Sequence, residues 1–149
     1  MDPSLDVAAT GRYGDGVARP PISLYIHIPF CKTKCTYCDF NTYSGIENLL
    51  PSYLEALERE IRIWGALLEK PAVGTIFFGG GTPSYLPAEQ VTQLLRLAST
   101  SFSVSGDAEV TLEANPEDLS KENLNAYHRA GFNRLSIGAQ SFDDALLRT

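Results

Sequence analysis

Cysteine is missing from this chain except in "PFCKTKCTYCDF", where Cys31, Cys35 and Cys38 fall within eight residues. Three thiols are one short of a four-thiolate metal site and one too many for a disulfide. Clustered cysteines without a secretory signal point to a reducing compartment and to metal or redox chemistry. Positive charge is scarce too. The 12 Lys and Arg against 18 Asp and Glu leave a net charge of -6, which argues against general affinity for nucleic acid. No apolar run approaches the roughly 18 residues that a membrane-spanning helix needs. The opening "MDPSLDVAATGRYGDGVARP" lacks the basic start and apolar stretch of a secretory signal, and Arg12 and Arg19 alone do not make an Arg-rich targeting helix. These absences predict a cytoplasmic protein without a transmembrane segment.

What is present reads as a soluble globular composition, 44% hydrophobic and 20% charged. Residues 1–20, with Gly11, Gly14 and Gly16 close together and few large apolar side chains, read as a flexible leader. In "ISLYIHIP", Ile22, Leu24, Ile26 and Ile28 alternate with Ser23, Tyr25 and His27, the period of a strand. A helix is predicted over 51–69, with Pro51 in its first turn and Leu54, Leu57, Ile61, Trp64 and Leu68 on one face. "TIFFGGG" (75–81) predicts a second strand, and Pro87 opens a second helix with Val91, Leu94, Leu95 and Ala98 on its apolar side. "EVTLEANP" (109–116) predicts a third strand, followed by a short helix stopped by Gly131. "RLSIGAQSF" (134–142) predicts a fourth, and "DDALLR" starts another helix capped by Asp143 or Asp144.

Regular alternation of strand and helix argues for a parallel sheet with right-handed crossovers. Central strands of an open doubly wound sheet read as near-continuous apolar runs. Here the strands carry one apolar and one polar or small face, the latter with Tyr25, His27, Glu113, Ser136 and Gln140. That pattern favours a lined barrel interior. The predicted fold is α/β: the N-terminal four βα units of a partial TIM-like barrel, spanning 21–149, with the barrel left incomplete.

In such folds function sits at the carboxyl ends of the strands. The cysteine loop, "GGGTPS" (79–84), "EANP" (113–116) and "GAQS" (138–141) all fall there. Three readings of the cysteines compete. They are buried small hydrophobes, a Cys3His zinc site completed by His27, or ligands of an iron–sulfur cluster with one iron lacking a protein ligand. Lys32, Thr33, Lys34 and Thr36 make the loop polar, against the first, and the two lysines would offset a cluster's negative charge. Zinc sites commonly pair two CxxC elements, and only Cys35–Cys38 has that spacing. Gly79, Gly80 and Gly81 exceed what a turn requires. They let backbone approach a ligand, with exposed N–H groups expected to hold a carboxylate. No Gly-Lys-Ser/Thr follows, so this is not a Walker loop. Glu113 is expected to bond a ribose or amine, and Gln140 to contact a polar ligand. Tyr25 and His27 taken alone are equally well read as packing residues.

Cys31-x3-Cys35-x2-Cys38 after a first strand, with "GGGTPS" behind it, resembles the signature of the radical S-adenosylmethionine (SAM) superfamily. "LYIHIPFCKTKCTYCDF", "FFGGGTPSYL", "EANP" and "RLSIGAQSF" together resemble the subgroup of oxygen-independent coproporphyrinogen III oxidase and HemW-type haem chaperones, from about Ile22 onward. The resemblance implies that Cys31, Cys35 and Cys38 ligate a [4Fe–4S] cluster. It implies that Tyr25, Gly80 and Glu113 contact SAM chelated to the open iron. Tyr37, Gly81, Thr82 and Gln140 match positions that contact a second SAM in the oxidase. In that superfamily an electron from the cluster cleaves SAM to a 5′-deoxyadenosyl radical.

One departure divides the subgroup. The oxidase carries a further cysteine two residues after the third, and this chain has Phe40 there. The resemblance therefore implies the chaperone branch, which binds haem or a porphyrin and passes haem to an acceptor protein. Decarboxylation of coproporphyrinogen is then not expected, although SAM cleavage is. The oxidase is the alternative reading, and a Cys3His zinc-stabilised module is the second.

Overall fold

The computed structural model describes residues 20–148 together with strands β1 (Arg12–Tyr13) and β2 (Val17–Ala18). These two short strands pair antiparallel, and apart from them and Pro20 the expected leader lies outside the described residues. Then β3 (Ile22–Ile28), α1 (Leu50–Leu67), β4 (Ala72–Gly80), α2 (Ala88–Ser101), β5 (Ser103–Ala114), α3 (Lys121–Ala130) and β6 (Arg134–Ile137) alternate.

Strands β3 to β6 form one parallel sheet in the order β3-β4-β5-β6. Each strand lies beside its predecessor, without the reversal of order that marks the switch point of an open doubly wound sheet. This is the strand order of a βα barrel, as expected.

The helix-facing side of the sheet carries the core. Ile26, Ile28, Val73, Ile76, Phe78, Val110 and Leu112 are buried with Ile61 of α1 and Val91, Leu94, Leu95 and Ala98 of α2. Burying such a side chain contributes about 1.5–3 kcal/mol. Phe132 sets its ring edge-on to both Phe78 and Tyr127, at centroid distances of 5.1 and 5.8 Å. Where α1 meets the end of α2, Gly65 leaves no room for a side chain. A Cβ there would lie 2.5 Å from the Ser101 carbonyl oxygen. The Ser120 hydroxyl caps α3 by accepting the Asn123 N–H at 3.1 Å. Gly131, at φ 112°, ends that helix as expected.

The opposite face is polar and layered by the register. Ser23, Tyr25 and His27 pair across to Thr75, Phe77 and Gly79, and Thr75 and Phe77 to Glu109 and Thr111. Thr111 and Glu113 in turn pair with Arg134 and Ser136. Thr111 is buried there, donating to Glu109 Oε1 at 3.1 Å and accepting from Arg134 Nη1 at 3.4 Å.

Three elements differ from expectation. Strand β5 starts at Ser103, because Ser103 and Val104 pair with Ala72 and Val73 before a register shift. That segment is polar and carries no periodic signal. Strand β6 stops at Ile137 instead of running to Phe142. Its only described neighbour, β5, ends at Ala114, whose carbonyl takes the last N–H, from Gly138, at 2.9 Å. The predicted final helix is a single 3-10 turn, Leu146–Arg148, preceded by Asp143, whose carboxylate accepts the Ala145 N–H at 2.7 Å. Among the described residues no helix is long and apolar enough to cross a membrane.

Candidate functional site

The cysteine loop leaves β3 through a closed neck. Phe30 and Tyr43 form a parallel bridge, Cys31 N–H donates to the Tyr43 carbonyl at 2.9 Å, and Tyr43 N–H donates to that of Pro29 at 2.8 Å. Inside the loop, Cys38 N–H donates to the Cys35 carbonyl at 3.1 Å. Lys34 Nζ reaches back to the carbonyls of Phe40 and Thr42, at 3.3 and 3.0 Å. Its ammonium therefore fastens the loop. Cys31 is buried at the base, Cys38 is half-buried and Cys35 is exposed. Thr82 Oγ1 donates to Cys31 Sγ at 3.8 Å, and Thr42 Oγ1 lies 3.9 Å from Cys38 Sγ.

The glycine run works by lacking side chains. A Cβ at Gly79 would lie 2.8 Å from Glu113 Oε2, and one at Gly81 2.6 Å from the Phe30 carbonyl oxygen and 3.0 Å from Cys31 Sγ. Gly80 has φ +115°, and a Cβ there would meet the His27 ring at 2.6 Å. The N–H groups expected to be open to a ligand are engaged. Gly80 donates to Glu113 Oε2 at 3.1 Å, Gly81 to the Ile28 carbonyl and Thr82 to that of Phe30, both at 2.8 Å. The reason is topological: Gly81 and Thr82 keep β4 paired with the chain leaving β3, and the Glu113 side chain of β5 takes the Gly80 donor just before them.

These parts enclose a cavity of about 260 Å³, whose lining includes Cys31, Cys35, Cys38, Tyr37, Phe40, Gly80, Gly81, Thr82, Glu113 and Gln140. The cysteines, Tyr37, Gly80, Gly81, Thr82, Glu113 and Gln140 are thus brought together, whereas Tyr25, His27 and Gly79 are not part of the lining. Gln140 arrives through a turn with φ +60°, not by continuing the strand. Tyr37 OH donates to Gln140 Oε1 at 3.2 Å, joining two residues 103 positions apart across the cavity. The Cys35 sulfur beside Tyr37 pushes its phenol pKa up.

Tyr25 stands on the same sheet face, stacked on Phe77 with centroids 5.9 Å apart. Burial, and then the charge of Glu113, raise its pKa. His27 Nε2 lies 2.9 Å from the Asn41 carbonyl, which only accepts, so that nitrogen carries the proton. Tyr25 OH faces Nδ1 at 3.4 Å. With both ring nitrogens engaged, His27 is not placed to complete a Cys3His site. Among the described residues, no three His, Cys, Asp or Glu side chains converge closely enough to hold a single metal ion.

Sequence reasoning missed the supports. Ser84 Oγ donates to Asp118 Oδ2 at 2.7 Å and accepts the Asn115 N–H at 3.1 Å, tying the glycine loop to the end of β5. Their position inside "GGGTPS" and "EANPED" was the available signal.

Comparison with known proteins agrees with this geometry. The family model of the radical SAM superfamily matches residues 25–149. The heme chaperone HemW of Bacillus subtilis is 47% identical over 126 residues, covering 84% of this chain and 33% of that protein. HemW of Escherichia coli is 42% identical, covering 89% of this chain and 35% of that protein. The oxygen-independent coproporphyrinogen III oxidase of Salmonella typhimurium is 38% identical, over 86% of this chain and 28% of that protein. A solved structure of coproporphyrinogen III oxidase (HemN) from Escherichia coli, a radical SAM enzyme, superposes with a TM-score of 0.78 at 37% identity, over 86% of this chain and 30% of that one. The chain spans about a third of the length of the curated relatives it matches. Fold, motif and similarity together establish that the chain belongs to the radical SAM superfamily, within the subgroup of HemW-type haem chaperones and coproporphyrinogen III oxidase-type proteins.

Proposed function

We propose that this chain is the cofactor-binding part of a radical-SAM-type haem chaperone. In this reading Cys31, Cys35 and Cys38 hold a [4Fe–4S] cluster, SAM takes the open iron, and haem is delivered to an acceptor. The observation that carries it is a single cavity lined by all three thiols, the glycine run and Glu113, with Phe40 where the oxidase has its further cysteine. The donor set suits the group. The thiols surround a volume instead of converging on one point, and a multi-iron cluster takes its thiolates from such separated positions. The missing side chain at Gly81 lets the glycine loop pass against the Phe30 carbonyl and Cys31 Sγ, and that at Gly80 leaves room for the His27 ring.

When bound, cluster and SAM supply one-electron chemistry. The chain's own residues bind and orient. Glu113, already holding the Gly80 N–H, presents its carboxylate to the cavity for an amine or ribose hydroxyl. Tyr25 keeps a neutral phenol on the face beneath, and Thr82 donates to Cys31. Tyr37 and Gln140 close the far side of the cavity on each other.

Iron and sulfide analysis of anaerobically purified full-length protein tests the cluster. One zinc with no iron or sulfide would return the reading to a zinc module. Cys35→Ala is expected to abolish the brown chromophore. The oxidase is the second reading, favoured by the superposition on HemN. Protoporphyrinogen formation from coproporphyrinogen III, SAM and a reductant would establish it and overturn the weight placed on Phe40.

A further inference from the structure

The pairing of β4 with β5 ends at Phe78 and Leu112, one residue short of Glu113. Beyond that point, among the described residues, the hydrogen bonds that join the two segments come from side chains. Glu113 Oε2 accepts the Gly80 N–H, and Ser84 Oγ accepts the Asn115 N–H, both at 3.1 Å. Glu113 lines the cavity, whereas Ser84 and its partner Asp118 do not. Strands β4 and β5 are the inner pair of the sheet, with β3 and β6 on either side, so this cluster lies away from a sheet edge.

Ser84 is 3% exposed, and its hydroxyl has one proton to give. Asp118 Oδ2 takes that proton's bond at 2.7 Å, which leaves a lone pair for the Asn115 N–H. Bonds to an ionised acceptor are the stronger kind. Asp118 is anchored in turn. Its N–H donates to the Asn115 carbonyl at 3.1 Å, and its carbonyl accepts from Asn123 Nδ2 of α3 at 2.9 Å. Among the described residues no cation pairs with its carboxylate.

We infer that Ser84 and Asp118 are positioning residues for Glu113. The inference rests on the reading above, in which the Glu113 carboxylate takes the amine or a ribose hydroxyl of SAM. Glu113 then has two tasks, to hold the Gly80 N–H and to meet the ligand, and both draw on one carboxylate. The Ser84 bridge keeps the end of β5 at its spacing from the glycine loop while Glu113 engages the ligand. It does so by fixing the backbone two residues beyond Glu113. A contact residue is only as well placed as the groups that hold it.

The test is SAM affinity, by equilibrium dialysis, on cluster-loaded full-length protein. Iron and sulfide are measured on each variant, and affinity is referred to the loaded molecules. Ser84→Ala is expected to weaken SAM binding about tenfold, the low end of what partners one step behind a bound group contribute. Asp118→Ala is expected to weaken it too, and Asp118→Asn, which keeps an acceptor for the hydroxyl, to retain most of the affinity. Gly65→Ala, a crowded substitution between α1 and α2, lowers stability away from the site and is expected to bind SAM as wild type. In a Glu113→Gln background Ser84→Ala is expected to add less than about threefold, because it acts through that carboxylate. Wild-type affinity in cluster-loaded Ser84→Ala would overturn the inference. So would an equal loss in Gly65→Ala, or full multiplication of the Ser84 and Glu113 effects. If Ser84→Ala takes up no cluster, Asp118→Ala, altered at a half-buried side chain, decides in its place. Those results leave the SAM reading standing, whereas wild-type protein that loads its cluster and binds no SAM overturns both.

Discussion

Gly80→Ala adds one methyl group where β4 turns out of the sheet at φ +115°. The first cost is conformational. A non-glycine residue held in a sparsely populated backbone region costs about 1–3 kcal/mol. The second cost is steric. The new Cβ would lie 2.6 Å from both Cε1 and Nδ1 of His27, well inside contact distance. The ring must move, and the nearest bond it gives up is His27 Nε2–H to the Asn41 carbonyl at 2.9 Å. A hydrogen bond of that kind contributes about 0.5–1.5 kcal/mol net. The expected destabilisation is therefore about 2–4 kcal/mol, read as a fall in denaturation midpoint at constant m-value. Asn41 closes the loop that carries the cysteines, so iron content after anaerobic reconstitution should fall in parallel. His27→Ala in the same background makes room for the methyl and should recover part of the stability but not the loop anchor. A Gly80→Ala protein within about 0.5 kcal/mol of wild type, the usual range for inert surface changes, would refute the argument that this glycine is required by its conformation and by His27.

Ser84→Ala removes both the donor to Asp118 and the acceptor for the Asn115 N–H. The bond to a carboxylate is of the stronger kind, so a loss of about 1.5–3 kcal/mol is expected from urea unfolding. Glu113→Gln keeps an acceptor for Gly80 but discards the charge. SAM affinity, measured by equilibrium dialysis on cluster-loaded protein, should weaken about tenfold or more, as for loss of a charge-assisted bond, while stability changes little. Gly65→Ala drives a methyl against the Ser101 carbonyl and should cost about 1–3 kcal/mol through overpacking. Tyr53 donates to the His27 carbonyl at 2.6 Å, and burial pushes its pKa up to about 12 from 10.0. The folded state therefore favours the neutral phenol. That stabilisation is complete below the unfolded value and is lost as pH rises through the folded one, so alkaline unfolding over that window should be blunted in Tyr53→Phe.

The fold was legible where a face is buried. Ile22, Leu24, Ile26 and Ile28 alternate because one side of β3 packs on helices, and the 3–4 spacing in α1 and α2 has the same origin. It was not legible where neighbours decide the ending. Nothing in "RLSIGAQSF" says that pairing stops at Ile137, because the limit is set by the end of β5 one strand away. The site was legible in its membership and less so in its wiring. Cysteines, glycines, Glu113 and Gln140 announce themselves by type and by position at strand ends. That Glu113 occupies the Gly80 N–H, that Lys34 staples carbonyls, and that Tyr37 meets Gln140 are facts of three-dimensional pairing without a local signal.

The distribution of hydrogen bonds explains how a loop with an exposed Cys35 can present thiols reproducibly. Thiols are weak hydrogen-bonding groups, and the contacts to Cys31 and Cys38 here are 3.8 and 3.9 Å long. They cannot set the geometry. The stronger bonds lie behind them, in the neck between Phe30 and Tyr43, the Lys34 staple, and the His27 anchor on Asn41. Each ties the loop to β3 or to itself, and Gly81 and Thr82 tie β4 to the same neck. The sulfur positions are thus fixed by the ends of two paired strands, and the sulfurs keep their lone pairs for a ligand.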